Sequence, residues 1–182
     1  MQEFDPSKHN VDVMHIEKNV CDSMLRFLSG EKDIVAVRMD LRAKGIRPNL
    51  WLEPDPNRSN VLLKYQAPYV CTDAEWQLFL SRLGTLRVPS GYAGAFKKHI
   101  RNGKLGSMKT HDVHVMMQDI LPICLCGLMQ KPVQNAILEL CNIFCHICVK
   151  VWDPTQFDSL KSDAMHVLCD LEIYFPPAFF DV

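Results

Sequence analysis

A chain of 182 residues is long enough to bury a substantial core, and its 20 basic and 21 acidic residues nearly cancel, for a net charge of −1. That balance excludes the overall basic excess of a protein that coats nucleic acid, so any DNA contact has to come from a local patch. The longest nearly uncharged apolar run, residues 120–129, is too short to cross a bilayer and contains Pro122, so no membrane contact is expected.

The first ten residues are polar and do not resemble a secretory signal. Asp12 then stands between Val11 and Val13, in a stretch that reads as the end of a strand, residues 11–13, running into a helix. On a strand stub that carboxylate would be buried, and a buried charge needs a partner. A divalent metal and a helix cap both satisfy it. His15 is placed to orient the carboxylate, and Lys18 lies one helical turn further on. From His15 the pattern is helical, with Ile16, Val20, Met24, Phe27 and Leu28 on one face and Gly30 as the stop. A second helix is expected over residues 33–44, ending at Gly45. Residues 46–60 hold three prolines and read as an irregular loop.

Thr72 and Glu75 form a capping box, followed by an amphipathic face of Trp76, Phe79, Leu80 and Leu83. A short basic helix is expected over residues 96–101, between two glycine-containing breaks. Thr110 opens a long helix carrying Val113, Met117, Ile120 and Leu121, with a kink at Pro122. Pro132 suits the first turn of the next helix, expected to reach about residue 151. Asp153-Pro154 separates it from a last helix over residues 155–174. The closing stretch FPPAFFDV is apolar, and its aromatic residues call for something to pack against. Both ends read as if cut from something larger.

The eight cysteines allow a disulfide framework. Cys124, Cys126, Cys141, Cys145 and Cys148, however, fall in helical segments among Leu, Ile and Phe, where a reduced cysteine packs as a small hydrophobe. Cys145 and Cys148 form a CxxC beside His146, but inside a helix rather than on a knuckle loop. His111 and His114 sit three apart near a helix start, short of the four ligands of structural zinc, and Asp112 there suits the helix dipole. Core packing is therefore expected, and no zinc. Lys97, Lys98, His99, Arg101 and Lys104 are the densest basic cluster, with Tyr92 and Phe96 nearby. They suit either a phosphate backbone or a solvated surface. No glycine-rich phosphate loop, GxSxG elbow or HExxH motif is present.

Five segments, HNVDVMHIEKNVCDS, GIRPNL, RVPSGYAG, THDVHVMMQDILP and LCDLEIYFPPAFFDV, together resemble plant CACTA-type (En/Spm) DNA transposases, in that family's order and over nearly the whole chain. The resemblance implies residues 1–60 as the end of an RNase H-like transposase domain. Residues 61–182 would be the start of the helical domain of unknown function that follows it. It implies a nuclear protein whose complete parent nicks and joins DNA with Mg2+ held by three carboxylates. Asp12 matches the second carboxylate, the metal ligand, with His15 and Lys18 supporting the catalytic site. The first would lie upstream, and the third beyond Val182 or, as a weaker match, at Glu172. Val113 departs from the cysteine common at that place in the family.

The expected fold is thus mainly α, a helical bundle or insertion attached to a remnant of an RNase H-like core. The expected function is that of a transposase fragment, inactive by itself and needing no cofactor alone. Its DNA contacts would be weak and centred on Lys97, Lys98 and Arg101. The alternative is a non-catalytic helical module that binds DNA, or a protein partner through its apolar C-terminal stretch.

Overall fold

Local start and stop signals account for most of the helix boundaries in the computed structural model, which describes residues 12–89, 92, 95–149, 151 and 153–181. The first helix, α1 (Val13–Leu28), starts because the Asp12 side chain accepts the His15 main-chain N–H at 3.2 Å, an N-cap bond. It stops at Ser29 and Gly30, whose φ of +78° suits glycine and whose missing Cβ leaves room for Val70. Helix α2 (Val35–Ala43) ends the same way before Gly45, at φ +68°. Helix α3 (Asp73–Thr85) has the full capping box: Thr72 Oγ1 accepts the Glu75 N–H, and Glu75 Oε2 accepts the Thr72 N–H.

Helices α4 (Thr110–Val115) and α5 (Leu121–Cys124) are one rod, joined by a π turn over Met116–Ile120. Pro122 has no N–H to offer the preceding turn, and the Gln118 carbonyl there is instead approached by the Cys145 thiol at 3.8 Å. Helix α6 (Lys131–Ile147) has Pro132 in its first turn, and α7 (Phe157–Tyr174) follows a 3-10 turn capped by Asp153. Counting the rod once gives six helices and 62% helix, leaving only two small antiparallel sheets of two strands each among the described residues. These pair β1 (Glu53–Pro54) with β2 (Leu62–Leu63), and β3 (Ile100–Arg101) with β4 (Lys104–Leu105). No RNase H fold is identified among them.

Several expectations need correction. No strand is described before α1: Val13 is already helical, and Val11 lies outside the described residues. The basic helix expected over residues 96–101 is a 3-10 turn, Phe96–His99, running into a hairpin. Asn102 and Gly103 both take positive φ, 51° and 72°, as a two-residue type I′ turn requires, and that turn makes the chain reverse rather than coil. Helix α6 stops at Ile147, short of residue 151.

One apolar cluster runs from Cys21 to Phe179, so the core continues across residue 60. Its aromatic centre is Phe27, with Tyr69 at 5.7 Å, Phe175 at 6.3 Å and Phe179 at 5.9 Å between ring centroids. Phe175 and Phe179 are buried, so the aromatic residues of the C-terminal stretch find packing partners in the chain's own core. Arg47 closes this end by donating to the main-chain carbonyls of Tyr174 and Glu172.

A second anchor is polar. Arg38 is fully buried and forks onto Asp33, Nε to Oδ1 at 2.6 Å and Nη2 to Oδ2 at 2.8 Å. Its remaining donors reach the carbonyls of Leu50 and Tyr65 at 3.0 and 2.9 Å, and the Tyr69 hydroxyl donates to Asp33 at 2.8 Å. Burial raises the Asp33 carboxyl, but the bonds from Arg38, Lys64 and Tyr69 outweigh it and leave the pKa below the usual carboxylate value.

Candidate functional site

The start of α1 carries two side-chain groups of different character. Asp12 and His15 face solvent and bind each other, Nδ1 to Oδ2 at 2.5 Å, with both side chains more than half exposed. The side-chain bond from His15, reinforced by its main-chain N–H, holds the Asp12 carboxyl below its usual value. The expectation of a buried Asp12 therefore fails. The Val-Asp-Val pattern would hide the carboxylate only on a strand, and at an N-cap the side chain turns outward over the helix end. Lys18 is half-buried beside Asp22, whose carboxylate feels its charge.

One turn past the cap, α1 turns its other face inward. Glu17, Cys21, Met24 and Leu28 form a buried stripe, and Glu17 at its head is 1% exposed. His114, from α4, places Nδ1 at 2.6 Å from Glu17 Oε2. Gln118, in the π turn, donates to Glu17 Oε1 at 3.1 Å and lies 3.1 Å from the same His114 nitrogen. Cys148, just after α6, brings its thiol to 4.0 Å from Glu17 Oε2. Burial first, and then the neighbouring carboxylate, pushes this thiol up to about 11, so it is protonated at neutral pH. It sits beside the carboxylate and is not a thiolate activated by the imidazole, so the arrangement is not a nucleophilic triad.

Glu17, His114 and Cys148 are the only three acidic, histidine or cysteine side chains whose ligand atoms converge among the described residues. Asp12 belongs to no such group, and neither does Glu172, which is exposed on α7 and uses its carbonyl to accept from Arg47. No family model matches the chain, and no curated protein or solved structure matches it either.

The segments that carry the resemblance have clear structural work. The first meets the fourth through Glu17 and His114, and GIRPNL meets the last through Arg47 and the Tyr174 carbonyl at 3.0 Å. His111 Nε2 lies 2.8 Å from the Tyr92 carbonyl, and the Tyr92 hydroxyl donates to Asp119 at 2.5 Å. Asp112 is buried and pairs with Lys98 at 3.4 Å, facing His99 Nε2 at 3.5 Å. His111 and His114 thus diverge to different partners.

The basic cluster is reorganised as well. Lys98 spends its charge partly on Asp112, while Lys97 stays exposed. Arg101 stands directly opposite Lys104 across the hairpin, and both are exposed. The concentrated positive charge therefore lies on a hairpin rather than along a helix face.

All eight cysteines are free. Cys21, Cys71, Cys124 and Cys141 are buried as packing residues, but Cys126 and Cys169 are exposed, and Cys145 and Cys148 are half-buried. Glu17 was not singled out by sequence reasoning. Its signal was present as a single charge at the head of an otherwise apolar stripe, Cys21, Met24 and Leu28.

Proposed function

We propose that this chain acts as a non-catalytic helical module of a protein resembling plant CACTA-type cut-and-paste transposases. Five ordered sequence segments support the likeness. The position of Asp12 carries the non-catalytic part: its described partner is His15, and among the described residues it joins no group of three metal-ligating side chains. A two-metal strand-transfer site needs several carboxylates around two Mg2+ ions. The described residues offer one carboxylate at that place, already held by an imidazole, so they do not fit that group on their own. No catalytic step follows from them. In the complete parent, Asp12 would serve as metal ligand with His15 and Lys18 beside it, as the resemblance implies.

DNA contact by this module rests on Lys97, Lys98, Arg101 and Lys104 around the β3–β4 hairpin. Incubation with Mg2+, supercoiled plasmid and end-labelled duplex should give neither nicking nor joining. Cleavage abolished by Asp12→Ala would refute the non-catalytic reading. Fluorescence anisotropy on arbitrary duplex should give weak binding that collapses as salt rises. Binding that survives high salt and discriminates between sequences would refute the module's weak electrostatic role.

A further inference from the structure

The junction of α1, α4 and the end of α6 brings together a carboxylate, an imidazole and a thiol, the side chains of Glu17, His114 and Cys148. His114 Nδ1 faces a Glu17 oxygen at 2.6 Å and the Gln118 amide nitrogen at 3.1 Å. If Nδ1 carries a proton, it donates to Glu17 Oε2, while the Gln118 amide donates to Glu17 Oε1 and, at 3.5 Å, faces the Phe144 carbonyl. If it carries none, its lone pair faces a carboxylate oxygen. Beside these groups lies the Cys148 thiol, 4.0 Å from the same carboxylate.

We propose that Glu17, His114 and Cys148 form a zinc site. The three ligand atoms converge, and a cation between them would take the Nδ1 lone pair, Glu17 Oε2 and the Cys148 sulfur, while Gln118 stays on Glu17 Oε1 and orients it. The spacing suits this. Zinc bonds of about 2.0–2.3 Å in a tetrahedron put ligand atoms roughly 3.3–3.7 Å apart. The atoms here lie within 4.8 Å of one another, with one pair at 2.6 Å and another at 4.0 Å, so binding needs shifts on the order of 1 Å. Charge suits it too. One carboxylate and one thiolate cancel the charge of Zn2+ with a neutral imidazole, which suits a site whose Glu17 is 1% exposed. The Cys148 proton leaves to bulk water as the metal binds. A mixed oxygen, nitrogen and sulfur donor set favours zinc over Mg2+. The fourth position falls to water, reached past the half-buried His114 and Cys148. This site is independent of the transposase likeness.

The test strips the full chain with a chelator and titrates it with Co2+, then Zn2+. One Co2+ per chain should bind with thiolate charge-transfer absorption, and one Zn2+ should displace it. Cys148→Ser should remove that absorption. Cys148→Ser and His114→Ala should each weaken binding by more than the roughly 10–100-fold expected for an outer-shell change such as Gln118→Ala. Cys126→Ser and Cys169→Ser, at exposed cysteines, should change nothing. A wild-type measurement stands apart from variant folding: Zn2+ should shield Cys148 from iodoacetamide and leave Cys126 and Cys169 reactive. Absence of the absorption band in the wild type, its survival in Cys148→Ser, or zinc shielding of other cysteines would overturn the proposal.

Discussion

Removing Asp33 should be among the most damaging single changes in this protein. Asp33→Ala leaves the Arg38 guanidinium, 0% exposed, without its carboxylate and without a route to water. Two charge-assisted bonds of 2.6 and 2.8 Å are lost, and so is the acceptor of the Tyr69 hydroxyl. Breaking one side of a buried pair costs about 3–5 kcal/mol, a large part of the ~5–15 kcal/mol that holds a domain folded. For a chain of this size each kcal/mol moves Tm by about 2–4 °C, which gives a drop of roughly 6–20 °C. Chemical denaturation followed by circular dichroism measures it directly. Replacing both partners, as in Asp33→Ala with Arg38→Met, should recover the part of the loss that comes from the orphaned charge, while the Leu50 and Tyr65 carbonyls and the Tyr69 hydroxyl still lack these partners. The pH dependence has a fixed sign. The folded Asp33 carboxyl lies below its unfolded value, so its contribution is complete above the unfolded pKa and disappears as pH falls through the folded one. A loss under ~1 kcal/mol for Asp33→Ala, or no recovery in the double variant, would refute this account.

Phe179→Ala should cost about 3–5 kcal/mol by opening a cavity against Phe27 and Phe175, read as a lower denaturation midpoint. Thr72→Ala should cost about 1 kcal/mol through the capping box, with the loss shared by Glu75→Ala in a double-mutant cycle. Asp12→Asn should leave the unfolding midpoint unchanged, since asparagine caps a helix about as well. Arg101→Ala should lower the slope of log affinity for DNA against log salt by about 1, measured by anisotropy.

What could be read from the sequence depended on how far a residue's partners lie along the chain. The Thr72–Glu75 box, the Gly30 and Gly45 stops and Pro132 act within a turn, and each falls where its local chemistry puts it. Residues 102–103 are also local: the Asn-Gly pair breaks the chain as expected, and its two positive φ angles turn that break into a hairpin. Asp12 was misread through an assumed strand period, and the helix that begins at Val13 replaces that period with a cap. Glu17 and His114 are 97 residues apart, so neither announces the other until α1 and α4 pack. The same holds for Phe175 and Phe179, which looked unpartnered because Phe27 and Tyr69 lie in the first half of the chain.

The bond from Arg47 to the Tyr174 carbonyl spans 127 positions, and it marks the seam where the Phe27 cluster is closed. On a ribosome adding about 5–20 residues each second, that interval lasts roughly 6–25 s. Throughout it Phe27, and from its synthesis Tyr69, lack the Phe175 ring, and Phe27 lacks Phe179 as well. During that interval Phe27 is exposed on the nascent chain without the two rings that later cover it, an apolar surface open to non-native contacts.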